Sequence, residues 1–584
     1  MAGSLERIEA RLRTLEARPP SGSGESVPFL RVKREHEPLA DATVPESGEA
    51  GPILSLVGQI CLVLCGAFLI RSLTGVGVLP TQLGLAVGPI YAVGWLFYAD
   101  RLARSGKFRR ATFFGTASVV IAFPLVWEAA TKFAALGGLG SAVALSLVVA
   151  IALGVAWRRE LRDFAWLVTV GAMGTAFALL TSTHQLVPVA AVLLLLGVGT
   201  VWVTYSRDWR GLWWLPAIAV DLVIIHMVYL VSRPYSLPEW DTDLSVTAIT
   251  ALGLSLLFAY LASFAVSTLL RKREVSFFEI AQTAAALLVG FGGAVYVTQP
   301  SGSGLIALGA GALVLGLAYY VVAFAFSDLH WGYQKNHAYH AWLAFVLTLS
   351  GSYLATGGLP VLLAWCALSV AAAVLGARYK RATLYHHSAA YAVAAAFLAV
   401  EAPYGLITFA VEVFTLPADQ SWPIITVPGL VIVAAAMISF VVIALSKADP
   451  ERPWRTGIPR LALALVAALG GGAVMVLMLA HALGNQPPEA DAAVVAAVRT
   501  GVVAGTAVAL AAVSRLTGFL ELRWLVYPMF LVDGLKLFLE DLPQGRPTTQ
   551  LLAFALFGIA LMLAPRLLRS GQHHGNAALQ SQEG

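Results

Sequence analysis

The sequence predicts an all-α, polytopic helical integral membrane protein of about 18 transmembrane helices, with both termini in the cytoplasm. Three observations carry this. The 584-residue chain is 58% hydrophobic and only 12% charged, against roughly 25% charged residues in soluble domains. From about residue 53 to 567 it is one apolar run after another, each near the ~20 residues that cross a ~30 Å hydrocarbon core as helix. Its Lys and Arg residues fall almost entirely in every second connection, the bias that orients multi-span proteins.

The apolar runs are continuous, not alternating, so they read as helices and not as barrel strands. The spans are 53–70, 80–99, 111–129, 139–157, 164–181, 186–205, 212–231, 244–269, 277–297, 304–326, 338–356, 359–377, 384–400, 424–445, 459–480, 493–513, 524–540 and 548–567. The stretch 401–423 suits a helix lying at the membrane surface.

Charge tests the span count. Of 38 Lys and Arg residues, 27 lie in or beside connections. Even-numbered connections hold 23 of these, as in RLARSGKFRR (101–110) and RYKR (378–381). Odd-numbered ones hold only Arg71, Lys132, Arg233 and Arg546. One missed span would invert the parity of everything after it. The even connections are therefore expected inside and the odd ones outside.

The ends differ from the middle. Residues 1–18 form a short cytoplasmic helix in which Leu5, Ile8, Leu12 and Leu15 repeat at coiled-coil spacing until Pro19 and Pro20 stop it. It is either a docking or self-association helix or a loosely ordered amphipathic segment. Residues 19–52 read as a disordered linker, 53–567 as the membrane domain and 568–584 as a disordered cytoplasmic tail. The N-terminus lacks the apolar core of a signal peptide. Arg outnumbers Lys by 30 to 8 in an Ala- and Gly-rich chain, usage that suggests a GC-rich bacterium and hence its cytoplasmic membrane.

Two segments look alike, GVLPTQLGLAVGPIYAVGWLF to FRRATFF (77–114) and GGLPVLLAWCALSVAAAVLGA to YKRATLY (357–385). They stand ten spans apart in one orientation, as in a parallel internal repeat; alanine-rich helices with basic inner loops are the alternative.

Several activities are excluded from expectation. The net charge of +5 follows from the basic connections, and no basic patch with interleaved aromatics points to nucleic acid. Cys61, Cys65 and Cys366 show no four-ligand metal spacing, so no metal or cofactor is expected. No nucleotide-binding, metalloprotease or serine-hydrolase motif is present, so an enzyme is not expected.

Ionisable residues within spans are candidate sites, because each costs roughly 2.5–3.5 kcal/mol to insert at the bilayer centre. Glu128, Glu279, His337, His340, His386, His387 and His481 lie near span ends, where interfacial placement accounts for them. Asp221 is nine residues from a span end, and His226 lies about 140° around the helix from it, so each needs its own partner. Asp533, Lys536 and Glu540 share one helical face, and Arg499 lies at matching depth in the preceding span. Arg499 is expected to meet Asp533 or Glu540. The group is either a structural ion-pair cluster or a site for an ionic substrate or a proton.

Residues 5–18, 58–88 and LKLFLEDLPQGRPTTQLLAFALFGIALMLAPRLL (535–568) resemble a bacterial family of multi-pass membrane proteins known as domain of unknown function 2339. Lys536, Asp541 and Arg546 match its pattern of Lys, then Asp closing a span, then Arg opening the last one. Glu540 beside Asp541, and Pro547, depart from it. The resemblance implies an inner-membrane protein of many spans, adds Asp541 to the candidate site and implies no activity.

The expected function is binding or transport of a small ionic or amphipathic solute. The alternatives are a scaffold recruiting protein partners through residues 5–18, or an intramembrane enzyme acting on lipid-linked substrates. The lipid bilayer is the expected surrounding partner.

Overall fold

The structure is a computed structural model that describes residues 50–133, 135–209, 211–233, 244–302, 304–326, 334–398, 405–417, 427–446, 454–484 and 490–580. The helix expected at 5–18 lies outside them. The chain divides into two units, residues 1–65 and 66–584. Among the described residues there is no strand.

The helices are α1 Ala50–Gly75, α2 Thr81–Arg104, α3 Phe108–Thr131, α4 Gly138–Arg159, α5 Arg162–Thr183, α6 Leu186–Arg207 and α7 Trp214–Val231. Then come α8 Val246–Leu270, α9 Phe277–Ser301 and α10 Leu305–Val321 with a π turn Val322–Phe326. They continue as α11 Gln334–Thr356, α12 Gly358–Tyr379, α13 Ala382–Phe397, α14 Leu406–Thr415, α15 Val427–Leu445, α16 Trp454–Ala482 and α17 Ala492–Thr517. The last are α18 Arg523–Lys536, extended by a π turn Leu537–Asp541, and α19 Pro547–Gln580. Every predicted span coincides with one of these helices. Thirteen of the described helices are long and apolar enough to cross a membrane, so the chain is a multi-pass membrane protein.

The extra helix is α14, in the stretch read as interfacial. Leu406, Phe409, Ala410 and Val413 of it are buried, while Thr408, Val411 and Thr415 are exposed, so one face of it packs against the protein. Helix α19 runs past residue 568 to Gln580.

From α2 to α8 each helix packs against the next, and α2, α4, α6 and α8 also pack in a row. This stacking of hairpins has a sequence signature. Each of three connections carries an Arg followed by an acid: Arg159-Glu160, Arg207-Asp208 and Arg273-Glu274. The Arg reaches back to an acid of the previous even connection, and the acid reaches forward. Arg159 pairs with Asp100 at 2.5 Å, Arg207 with Glu160, Arg273 with Asp208 at 3.3 Å, and Lys335 with Glu274 at 2.9 Å. Glu160 and Asp208 close α4 and α6 in the left-handed conformation, at φ 59° and 53°. Asp100 also binds Arg104 at 2.7 Å. Bonding to Arg159 holds its carboxyl below the usual carboxylate range, outweighing burial, with Arg104 assisting.

The four cations of the odd connections are each compensated. Arg71 and Lys132 pair with Glu128, Arg546 pairs with Asp491 at 2.9 Å, and Arg233 lies over the Tyr229 ring at 4.4 Å. Glu128 is therefore a buried ion-pair acceptor, not a free interfacial carboxylate.

Glycines set the closest crossings. A Cβ on Gly253 of α8 would lie 2.5 Å from the Gly290 carbonyl oxygen of α9, and one on Gly309 of α10 would meet the Gly351 oxygen of α11 at 2.8 Å. In lipid, association depends on such close packing, because burying apolar surface away from lipid gains little.

Candidate functional site

The charged cluster of α17 and α18 forms, with one substitution among its members. The Arg499 guanidinium pairs with Glu540 at 2.7 Å and donates to the Leu416 carbonyl, 2.5 Å away, just past the end of α14. Lys536 Nζ lies 2.8 Å from Asp541 Oδ2 and 3.3 Å from Glu540 Oε2. It also donates to the Ala496 carbonyl and to Thr500 Oγ1, both at 2.8 Å. The Thr500 hydroxyl in turn donates to Asp541 at 2.9 Å. Three elements are thereby tied together: the end of α14, α17 and α18.

Asp533 does not join. It lies seven residues before Glu540, about 10 Å along the axis, below the level of Arg499. It is fully buried and both its oxygens lack a hydrogen-bond partner among the described residues. Its place is taken by Asp541, which the family resemblance pointed to and helical periodicity did not. The π turn Leu537–Asp541 supplies the reason. It inserts an extra residue into the turn and swings Asp541 onto the face of Lys536.

Asp221 and His226 are separated, as their spacing requires. Asp221 is buried and both its oxygens accept from the Gln282 amide of α9, at 3.2 and 3.1 Å. His226 is exposed on the opposite side of α7. No ionic site joins them.

Beside Asp221 runs a buried belt of Tyr, His and hydroxyl groups. Tyr205 donates to Glu279, which also closes a capping box with Ser276 at the start of α9. Thr283 bonds Tyr339 at 2.6 Å, and His340 Nε2 bonds Thr268 at 3.1 Å. His337 bridges the Ala323 carbonyl and Thr383. Tyr320 bonds both His387 Nδ1 and Tyr391, each at 3.2 Å. Glu279, His340 and His387 are thus buried in protein, contrary to the interfacial placement expected of them. What the spacing hides is that these span ends are packed against neighbouring helices. His337 and His386 are half-buried, and His481 is exposed as an interfacial residue would be. Thr268 and Ala323, like Asp541, sit in π turns, Val266–Leu270 and Val322–Phe326.

A large apolar cavity lies elsewhere. It encloses about 1020 Å³ between α15, α16, α17 and α19. It runs from Ala464 on α16 to Leu483 just past its end, and from Val494 to Val513 on α17, about 28 Å of helix. Its floor is built from glycines and alanines, among them Gly471, Gly501 and Gly505, and its only polar side chains are Thr506 and Thr549. Met437, Met475, Leu483 and Leu552 along its rim are exposed, so it opens sideways. A second apolar cavity of about 360 Å³ lies among α2, α3 and α4. Asp221 lines neither. Groups of three or more His, Cys, Asp or Glu residues able to hold a metal are absent among the described residues. No protein family, curated protein or solved structure matches this chain.

Proposed function

We propose that this protein binds a small amphipathic, lipid-like solute in the groove between α15, α16, α17 and α19. The supporting observation is the groove itself. Its length is close to the ~30 Å of a bilayer core, its walls are apolar, and it opens sideways, where acyl chains surround a membrane protein. Two threonine hydroxyls as its polar side chains suit binding better than catalysis. An aqueous ion path past Asp221 is less well supported, because that carboxylate is buried against Gln282. The scaffold alternative rests on residues 5–18, outside the described residues.

The proposal includes a bacterial cytoplasmic membrane, both termini inside, and kinship with the family that residues 5–18, 58–88 and 535–568 resemble. The compensation of Arg71, Lys132, Arg233 and Arg546 supports that orientation, since each cation on the outward side has a partner.

Photo-crosslinking with an alkyne-tagged, diazirine-bearing fatty-acyl phospholipid tests the groove. A Cβ at Gly471 or Gly505 meets nothing within 4 Å, so Gly471→Leu with Gly505→Leu fills the groove without disturbing the packing. Labelling of α16 and α17 peptides is expected to fall at least several-fold in this variant at unchanged protein yield. Labelling spread evenly over the helices, and unaltered by the variant, would refute the proposal.

A further inference from the structure

The carboxylate left out of the α17–α18 cluster points to a different property. Within the cluster the charges balance: Arg499 and Lys536 face Glu540 and Asp541, and every one of the four is bonded. An ionised Asp533 would add a lone negative charge, fully buried, with no donor on either oxygen among the described residues. It lies eight residues from the Asp541 end of its helix, about 12 Å into the span. Buried charge is tolerated when paired and hydrogen-bonded, and Asp533 is neither.

Among the described residues the surroundings supply one cation able to change this. On α18 itself the charged neighbours of Asp533 are Lys536, Glu540 and Asp541. On α17 they are Arg499, held by Glu540, and Arg515 at the far end. Helix α19 carries no titratable side chain from Pro547 to Pro565, and Glu521 in the turn before α18 pairs with Arg460. Lys536 is three residues from Asp533, on the same helical face. Its ammonium is now turned to Asp541, which reaches it only through the π turn.

We propose that Asp533 is a proton-binding site inside the membrane, coupled to the position of Lys536. With the proton on Asp533, Lys536 rests on Asp541, Thr500 and the Ala496 carbonyl, as seen. When the Asp533 O–H bond breaks and the proton leaves to water, the resulting carboxylate draws the Lys536 ammonium away from Asp541. Lys536 keeps its three protons throughout and exchanges one carboxylate partner for another. The cluster is then a two-position element whose ligand is a proton, independent of what occupies the apolar groove.

Infrared spectroscopy of the full chain in lipid nanodiscs tests this. At neutral pH the wild type should show a carboxylic-acid carbonyl band that shifts in D₂O, and Asp533→Asn should remove it. Asn reproduces the shape of a neutral acid, so this variant should fold normally. Asp541→Asn should also abolish the Asp533 band, because Lys536 then moves to Asp533 and the carboxylate ionises. A wild type without the band, a band that survives Asp533→Asn, or an Asp533→Asn protein that fails to fold would each overturn the site. A band unchanged in Asp541→Asn would overturn the coupling. So would an Asp541→Asn protein that fails to fold, by making Asp541 a fixed structural partner.

Discussion

Lys536 and Asp541 meet at 2.8 Å although five residues separate them. In an α-helix that spacing rotates the second side chain about 140° away from the first. The π turn Leu537–Asp541 removes the mismatch. The same turn leaves Glu540 within reach of Lys536 and Arg499 together, so one local irregularity brings two carboxylates to two cations.

The cluster predicts a sharp asymmetry between single and paired changes. Lys536→Ala leaves Asp541 buried with only the Thr500 hydroxyl, and breaking a buried pair from one side typically costs about 3–5 kcal/mol. Folded yield and thermal stability in detergent should fall accordingly. Lys536→Met with Asp541→Asn should recover most of the loss, because no buried charge is left unmatched. Equal damage from the single and double variants would show that the pair does not clamp α17 to α18.

What the sequence disclosed follows from which forces have a period. Hydropathy and charge parity act span by span, so the helices and the pairing of Arg499 with Glu540 were legible. The π turn breaks the 3.6-residue period, so Asp541 was reached only by resemblance and Asp533 was wrongly expected to share the cluster. Depth along a helix cannot say whether its end meets lipid headgroups or another helix. Glu128, Glu279, His340 and His387 therefore read as interfacial from the sequence, although all four are buried. The Arg-acid dipeptides at 159–160, 207–208 and 273–274 were visible as residues, but unequal spacing between them hid the repeat.

The α8–α9 crossing should be intolerant of even one methyl group. At Gly253 an added Cβ would approach the Gly290 carbonyl oxygen to 2.5 Å, and backbone cannot swing aside as a side chain can. Overpacking of this kind typically costs about 1–3 kcal/mol. Gly253→Ala should lower thermal stability by that order. Gly311→Ala, where a Cβ meets nothing within 4 Å, should leave it unchanged or raised. Equal behaviour of the two variants would contradict the close crossing.

The first rung of the ion-pair row should make stability pH-dependent in a defined direction. Asp100 is buried between Arg159 and Arg104, which hold its carboxyl below the usual range. A carboxyl lowered by folding adds stability that is complete above its unfolded value of about 3.9. That stability is lost as pH falls through the folded value. The melting temperature of Asp100→Asn should therefore lie below the wild type's at neutral pH, and the two should converge only on the acid side of pH ~4. The other rungs are more exposed, as with Glu160 and Asp208, and exposed pairs contribute about 0–1 kcal/mol. Glu160→Gln and Asp208→Asn should change the melting temperature little at any pH. A large neutral-pH effect at those rungs, or none at Asp100, would reverse this ranking.

The orientation predicts which connections an external reagent can reach. The row from Asp100 to Lys335 links successive even connections, so all of them lie on one side of the helices. Arg71 and Lys132 meet at Glu128 on the other side, at the end of α3. Charge bias assigns the first side to the cytoplasm. Ser105 stands in the connection between α2 and α3, Gly137 in the one between α3 and α4, and both are exposed. After Cys61, Cys65 and Cys366 are replaced by Ala, single Ser105→Cys and Gly137→Cys variants can be treated in intact cells with a membrane-impermeant maleimide. Gly137→Cys should label and Ser105→Cys should label only after the membrane is opened. Because α3 lies between the two positions, one span is enough to separate them. Labelling of Ser105→Cys alone in intact cells would invert the whole protein, and labelling of both would remove α3 as a span.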